Sequence, residues 1–565
     1  MKKLRWQLLI VLLALVAIAA LLLTQQPAVV QTEAPVVQPA TGGVYTEGIV
    51  GAFGRLNPLL SYYNSADRDV NALLFSGLVR FDDHGLPIAD LAESWGYSKD
   101  GTAYNFSIRQ NAVWHDGEPV NSEDISFTVD LLRQDSLPIP EDLREFWEQV
   151  ETIVIDEKTI QFRLPEPFSP FLDYLAFGIL PRHLLEGIAV EALVDDDFNL
   201  KPVGSGPYRF ERLLTEEGEI RGLVLSAFDG YYANRPFIDQ FVVRYYPDEA
   251  TALDAYQAGE ITGISRVSST TLLQVLQEPD LNVYTGRLPQ LTLIYLNLDA
   301  PQLPFFQDAV LRRALLMSIN RQRLVDTVMG GQAILADGPI FPGTWAFYEA
   351  IERIPYDPDT VVRLLKDAGY TIPAEGGSVR AKEGTAFSFE MVFPDQPAYH
   401  TLFEAIQADW ARVGVEVKPV PASYEDLINE YLEPRTYQAA LVDLNLARSP
   451  DPDPYPFWSQ AQITTGQNYA QWNDRRASEY LELARITNDI EERAKAYRNF
   501  QVRFSQEMPA LPLFYPVYSY AVDNQVQGVR VGALFDPSDR FVNVATWFLV
   551  TSRVQASQAT PSATP

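Results

Sequence analysis

An α/β fold is what this sequence predicts, and three stretches carry the expectation. Phe241, Val243 and Tyr245 recur at every second position; Ala252, Leu253 and Tyr256 then form an amphipathic segment that stops at Gly259, and Ile261 and Ile264 resume an extended pattern. Leu291 to Leu298 is a nearly continuous apolar run suited to a buried strand, followed by helices expected from Asp308 (Leu311, Ala314, Leu315) and from Asn320 (Leu324, Val325, Val328, closed by Gly330 and Gly331). Leu402, Phe403, Ile406 and Trp410 make another helical stripe, ended by Gly414, before Val415 and Val417 alternate as a strand. Strand and helix following one another in this way define the class. No fixed-period repeat is visible, which argues against a solenoid or propeller.

From the start of the chain, Lys2, Lys3 and Arg5 precede an apolar run from Leu8 to Leu23, the layout of an export signal or membrane anchor with its charged end on the cytoplasmic side. That run is 16 residues, between a signal core and a spanning helix of about 20. The best small-x-small cleavage match, Ala17 to Ala19, lies inside it, so residues 1–24 are expected to be a retained anchor rather than a discarded signal. Residues 25–43, rich in Pro, Ala, Val and Gln, read as a flexible linker, and residues 551–565 as a disordered tail. Between them, Tyr104, Phe106 and Ile108 mark a half-buried strand, and Ile153, Ile155, Ile160, Phe162 and Leu164 mark a hairpin turning at Asp156-Glu157-Lys158. About 500 residues of globular composition are enough for two or three domains.

The charge and residue inventory narrows the function. Of 565 residues none is cysteine, so disulfides and a lipid-bearing thiol are both excluded. A formal net charge of −30 repels nucleic acid and anionic membrane surfaces; it serves either to keep an exported protein soluble or to attract cationic or amine-bearing ligands. His84, His115, His183 and His400 are widely separated and none shows zinc-helix spacing, so no metal or cofactor is expected. No nucleophile elbow or Walker loop appears, and Gly204-Ser205-Gly206-Pro207 reads as a turn because Pro207 offers no backbone donor. Paired carboxylates for glycoside hydrolysis are possible in any chain with 74 Asp and Glu, so they select nothing. Asp451-Pro452-Asp453-Pro454-Tyr455-Pro456-Phe457-Trp458 stands out, its prolines holding two carboxylates and three aromatic rings on a stiff extended segment.

Several blocks together resemble the family 5 extracytoplasmic solute-binding proteins of ABC importers, the oligopeptide- and dipeptide-binding group. The first runs from Leu56-Asn57-Pro58 through Leu74 to Leu78 and Leu91 to Trp95 to Trp114-His115-Asp116-Gly117-Glu118-Pro119-Val120, with Asn121 as N-cap and Asp124 in a capping-box position. Leu180 to Leu185, Pro202 to Tyr208, Tyr231 to Pro236, Ser318 to Arg321 and Pro509 to Phe514 follow in the family's order.

The resemblance implies a two-lobe, periplasmic-binding-protein-like fold (type II, cluster C-like) with an extra domain in one lobe. Lobe I would comprise 44–65, 201–285 and 505–550, the extra domain 66–200, and lobe II 286–504. It implies a monomeric extracytoplasmic receptor, in the periplasm or at the cell surface and held to the membrane by its N-terminal segment. Such a receptor captures a peptide or similar small solute and passes it to an ABC permease, with no catalysis. In the family's peptide binders a loop Asp pairs with the peptide amine, a role open here to Asp451 or Asp453, with Tyr455 and Trp458 beside it. Tyr518 and Tyr520 match a stretch near the C-terminal hinge that lines the cleft or packs the hinge. The family's Gly-Trp pair is replaced by Asp443-Leu444-Asn445-Leu446, which departs from strict peptide specificity. A secreted hydrolase of glycosides or peptides and a sensory receptor are the competing readings.

Overall fold

The computed structural model describes Trp6 and residues 11–16, 36–447 and 449–554. Most of the expected anchor therefore lies outside the described residues; Val11–Val16 is helical, and among the described residues no helix is long and apolar enough to cross a membrane. Val36–Ala40 and Val550–Val554 form a two-stranded antiparallel ribbon, with Val36 opposite Val554. This corrects the expectation of a structureless linker and tail at those positions. Their β-branched residues suit a strand, and each segment supplies the backbone partners the other needs. Residues 25–35 and 555–565 lie outside the described residues.

Thr41 to Leu549 forms a second compact unit. Its spine is a twelve-stranded sheet in two halves. In the first half Val44–Val50 lies between Gln240–Tyr246 and Gly263–Ile264, parallel to both. The helix Glu249–Gln257 makes the crossover, capped by Asp248, whose carboxylate accepts from Thr251 N at 2.8 Å. Gly259 ends it at φ 76°, a conformation that costs a glycine little. Glu219–Ala227 and Tyr208–Glu216 extend this half antiparallel. In the second half, Gln290–Leu296 pairs antiparallel with Ala439–Asn445, and Ser388–Pro394 runs parallel to both Ala439–Asn445 and Glu416–Ala422.

One long strand belongs to both halves. Ala510–Asp523 pairs through Ala510 to Phe514 with Thr292 to Tyr295, and through Val517 to Asp523 with Leu281–Arg287. The strand passes from the second half of the sheet to the first at Pro516 and Val517, inside the segment 505–550 expected in lobe I. Its buried side chains run unbroken from Ala510 to Tyr515, so composition alone shows no boundary. The chain crosses a second time at Leu288 and Pro289, between Leu281–Arg287 and Gln290–Leu296.

Within 66–200, Ala92–Tyr97, Ala103–Ile108, Thr159–Arg163 and Glu151–Asp156 form a separate antiparallel sheet in that order. Its core, including Trp114, Phe106 and Phe162, is continuous with that of Val44–Val50 and Gln240–Tyr246, so this added sheet is welded to lobe I. The helix Ser122–Leu132 carries the expected capping box at Asn121 and Asp124. The glycine turn packs against helix Ser65–Leu74: a Cβ on Gly204 would stand 1.9 Å from Leu74 O. Lobe II is filled on its two faces by separate clusters around Trp410 and Trp458.

Candidate functional site: the junction between the lobes

The loop Asp451 to Trp458 follows directly from the sheet of lobe II, and the structure resolves the roles of its residues. Tyr455–Trp458 is a single helical turn, not an extended segment, because Pro456 occupies a first-turn position where no backbone donor is needed. Trp458 is 1% exposed, packed on Tyr295 and edge-on to Phe504, so its ring is core rather than cleft lining.

Both loop carboxylates already have cationic partners. Asp451 pairs with Arg493 at 2.5 Å and accepts from Tyr497 OH at 3.2 Å. Asp453 pairs with Arg485 at 3.0 Å, whose guanidinium lies over the Tyr455 ring. Burial pushes the Asp453 carboxyl above its ordinary value, with Arg485 acting against the shift. For Arg493 burial lowers the pKa, yet Asp451, Tyr497 and Asp453 together more than offset it and the group stays charged. No sequence signal pointed to Arg485 or Arg493. They reach the loop from helices Arg475–Ile486 and Ile490–Glu507, more than thirty residues on.

Across the junction the added domain meets this loop. Asp451 N donates to Asp173 Oδ2 at 2.8 Å, and Asp173 is pushed well above the ordinary carboxylate value by burial and then by the Asp451 charge. Trp345 N donates to His84 O at 2.9 Å, Tyr104 OH to Asn488 Oδ1 at 3.0 Å, and Ser169 Oγ to Thr487 O at 2.6 Å. These hydrogen bonds join the added domain to the lobe II side of the junction. At the crossing itself, the space between Arg287, Pro289, Phe341 and Phe535 is about 10 Å³, roughly one water. Tyr518 donates its hydroxyl to Ser265 O, and Tyr520 is fully buried against Tyr284; both pack the lobe I part of the shared strand.

A second polar group lies where the parallel strands of lobe II end. Asp443 accepts from Gln290 Nε2, from Thr292 Oγ1 at 2.5 Å and from Tyr399 OH at 2.7 Å. Tyr399 is raised by burial and by the Asp443 charge, which keeps its proton on the shared hydrogen bond. Among the described residues Asp443 has no Lys, Arg or His within ion-pair distance.

Two lobes joined by paired crossings, with loops and polar groups meeting at the junction, are the architecture of a protein that closes around a solute. The comparisons place it further. Residues 87–467 match the model of the bacterial extracellular solute-binding proteins, family 5 (middle), and the chain belongs to that family. It is 27% identical to the dipeptide-binding protein of Escherichia coli over 529 residues, 90% of this chain and 95% of the other. Among solved structures it is similar to the oligopeptide-binding protein AppA of Bacillus subtilis in complex with a nonapeptide (TM-score 0.64, 24% identity, 91% of this chain and 100% of that one). It is also similar to NikZ of Campylobacter jejuni in complex with Ni(L-His) (TM-score 0.65, 23% identity, 89% and 99%). The α/β two-lobe expectation and the family resemblance are both met.

Proposed function

We propose that this protein is the extracytoplasmic receptor of an ABC importer, capturing a peptide or similar small solute between its lobes and handing it to a membrane permease without chemical change. The observation that carries the reading is the paired crossing at Leu288-Pro289 and Pro516-Val517, which lets two rigid halves pivot about a common axis. Relatives described as dipeptide- and oligopeptide-binding support peptides as the ligand class. The receptor works as a monomer, and residues 1–24 hold it at the membrane beside its permease. Residues 66–200 act as one body with lobe I, and closure moves them against 286–504. Tyr455, stacked on Arg485 at the junction, belongs to the wall that the closing lobes bring together.

Mass spectrometry of small molecules released from the purified full chain tests the reading. A series of peptide masses, recovered intact after incubation with the protein, is the expected result. An oligosaccharide would replace the ligand class, and degradation of the added peptide would replace binding by hydrolysis.

A further inference from the structure

Arginine is concentrated on the outer face of the last helix pair of lobe II. Asp474, the N-cap of Arg475–Ile486, meets Arg503 near the end of Ile490–Glu507 at 2.7 Å, and Arg493 near the start of the second helix donates to Ala484 O near the end of the first at 2.8 Å, so the two run antiparallel. The second helix turns Tyr497, Phe500 and Phe504 into the core around Trp458, which leaves Arg498, Asn499 and Arg503 on its other side. The first contributes Arg476 and Tyr480, one turn apart. Tyr348 completes the wall from a neighbouring loop. Its N–H donates to Oε1 of the fully buried Gln501 at 3.2 Å, and Gln501 Nε2 donates to Ala346 O at 2.9 Å, which ties that loop to the second helix. These residues line a cavity of about 310 Å³, large enough for a small molecule.

The charge of this wall runs against that of the molecule. In a chain of net charge −30, three arginines and, among the described residues, no carboxylate line the cavity. Arg503 is fixed by Asp474 and by Glu507, the latter at 2.9 Å. Arg498 lies over the Tyr348 ring at 5.4 Å, a contact that orients a guanidinium without neutralising it. Among the described residues neither Arg476 nor Arg498 forms an ion pair. Guanidinium groups gathered around one cavity repel one another, and an anion entering it relieves that repulsion. A phosphate group carries more charge than a carboxylate and offers several acceptor oxygens, which suit the paired donors of arginine. The Asn499 amide and the Tyr480 hydroxyl add neutral donors to the same wall. We propose that this groove binds a phosphate or phosphate-ester group. It lies toward the opposite end of the helix pair from Arg485 and Arg493, which hold the loop at the junction, so the site is separate from the solute cleft and the proposal stands apart from the solute-binding reading.

The test is calorimetry on the full chain with three probes: inorganic pyrophosphate, glycerophosphoglycerol as the diester of an anionic lipid headgroup, and tetraglutamate. The wild type is expected to bind pyrophosphate, and Arg476→Gln combined with Arg498→Gln to weaken that binding at least about tenfold while the melting curve stays cooperative. Lys382→Gln combined with Lys418→Gln removes the same charge elsewhere on lobe II and is expected to cost less than about threefold. Glycerophosphoglycerol binding more tightly than pyrophosphate, and losing that affinity in the arginine variant, would support the site with a lipid headgroup as the source of the phosphate. Binding of neither phosphate probe overturns the proposal, as does tetraglutamate binding more tightly than both. So does a loss of equal size in the lysine variant. The solute released for mass spectrometry is expected to be the same from the arginine variant as from the wild type, which keeps this outcome distinct from that of the cleft.

Discussion

The backbone N–H of Asp451 donates to the carboxylate of Asp173 at 2.8 Å, joining the loop of lobe II to the domain fused to lobe I. Around this bond stand Asp453, Arg493, Arg485, Tyr497 and Tyr174, so three carboxylates share two guanidinium groups. Closing the lobes therefore places Asp173 where its charge is costly, and its pKa rises on closure. Below the ordinary carboxylate value both open and closed forms carry the proton and pH has no effect. Between that value and the raised one, closing takes up a proton, so closure weakens as pH rises and the full cost is reached above the raised value. Fluorescent labels on the two lobes should report more closed protein at pH 5 than at pH 8, and Asp173→Asn should flatten that difference. A pH response of equal size in the variant would assign it to another group.

Arg493 holds Asp451 and its guanidinium lies over the Trp345 ring at 5.0 Å, both within lobe II. Removing it as Arg493→Met leaves a buried carboxylate uncompensated, a change that costs about 3–5 kcal/mol in comparable pairs. Denaturant unfolding should show that loss. Adding Asp451→Asn to the same chain should recover a large part of it, because the stranded charge goes too.

His115 is neutral by construction. Its Nδ1 accepts from Gly204 N at 3.1 Å, its Nε2 faces Gly206 O at 3.1 Å, and burial pushes its pKa down to about 4. The unfolded chain binds a proton near pH 6.5 and the folded one does not, so stability is complete above that value and falls as pH drops toward 4. From pH 7 to pH 5 this one group should remove about 2 kcal/mol, and His115→Gln should lack its share of the slope in urea unfolding measured at both pH values.

Arg540, fully buried, grips Asp69 with both terminal nitrogens at 2.7 Å and reaches Glu47 at 3.2 Å. It ties the late turn Pro537–Phe541 to the strand Val44–Val50 and the helix Ser65–Leu74. Arg540→Met should therefore cost about 3–5 kcal/mol by calorimetric melting. Retention of full stability would mean that the two acids bury without their partner.

Local signals in the sequence were strong wherever a single element decides the outcome. Asn121, Asp248, Asp308 and Asn320 all cap helices, each accepting a backbone N–H through its side chain. Asn121, Asp308 and Asn320 are legible as caps because a short polar side chain precedes an apolar stripe. The hairpin at Asp156 to Lys158 forms for the same reason, with Val154 opposite Ile160. What stayed hidden depends on residues far apart in the chain. Asp451 and Asp453 look like free carboxylates beside prolines until Arg493 and Arg485 arrive from two later helices. Trp458 reads equally well as a stacking platform or a core residue, and only the packing of Phe504 and Tyr295 decides it. Asp443 is legible only as a departure from the family's Gly-Trp pair, because its donors come from positions 290, 292 and 399.

The receptor function requires two lobes that close on a solute about the crossings at Leu288-Pro289 and Pro516-Val517. Small-angle X-ray scattering of the full chain, stripped of bound solute by partial unfolding and refolded, measures this most directly. Adding back the solute identified by mass spectrometry should reduce the radius of gyration, with the solute recovered unchanged. An unchanged radius at saturating solute, or a solute consumed during the measurement, would contradict the account.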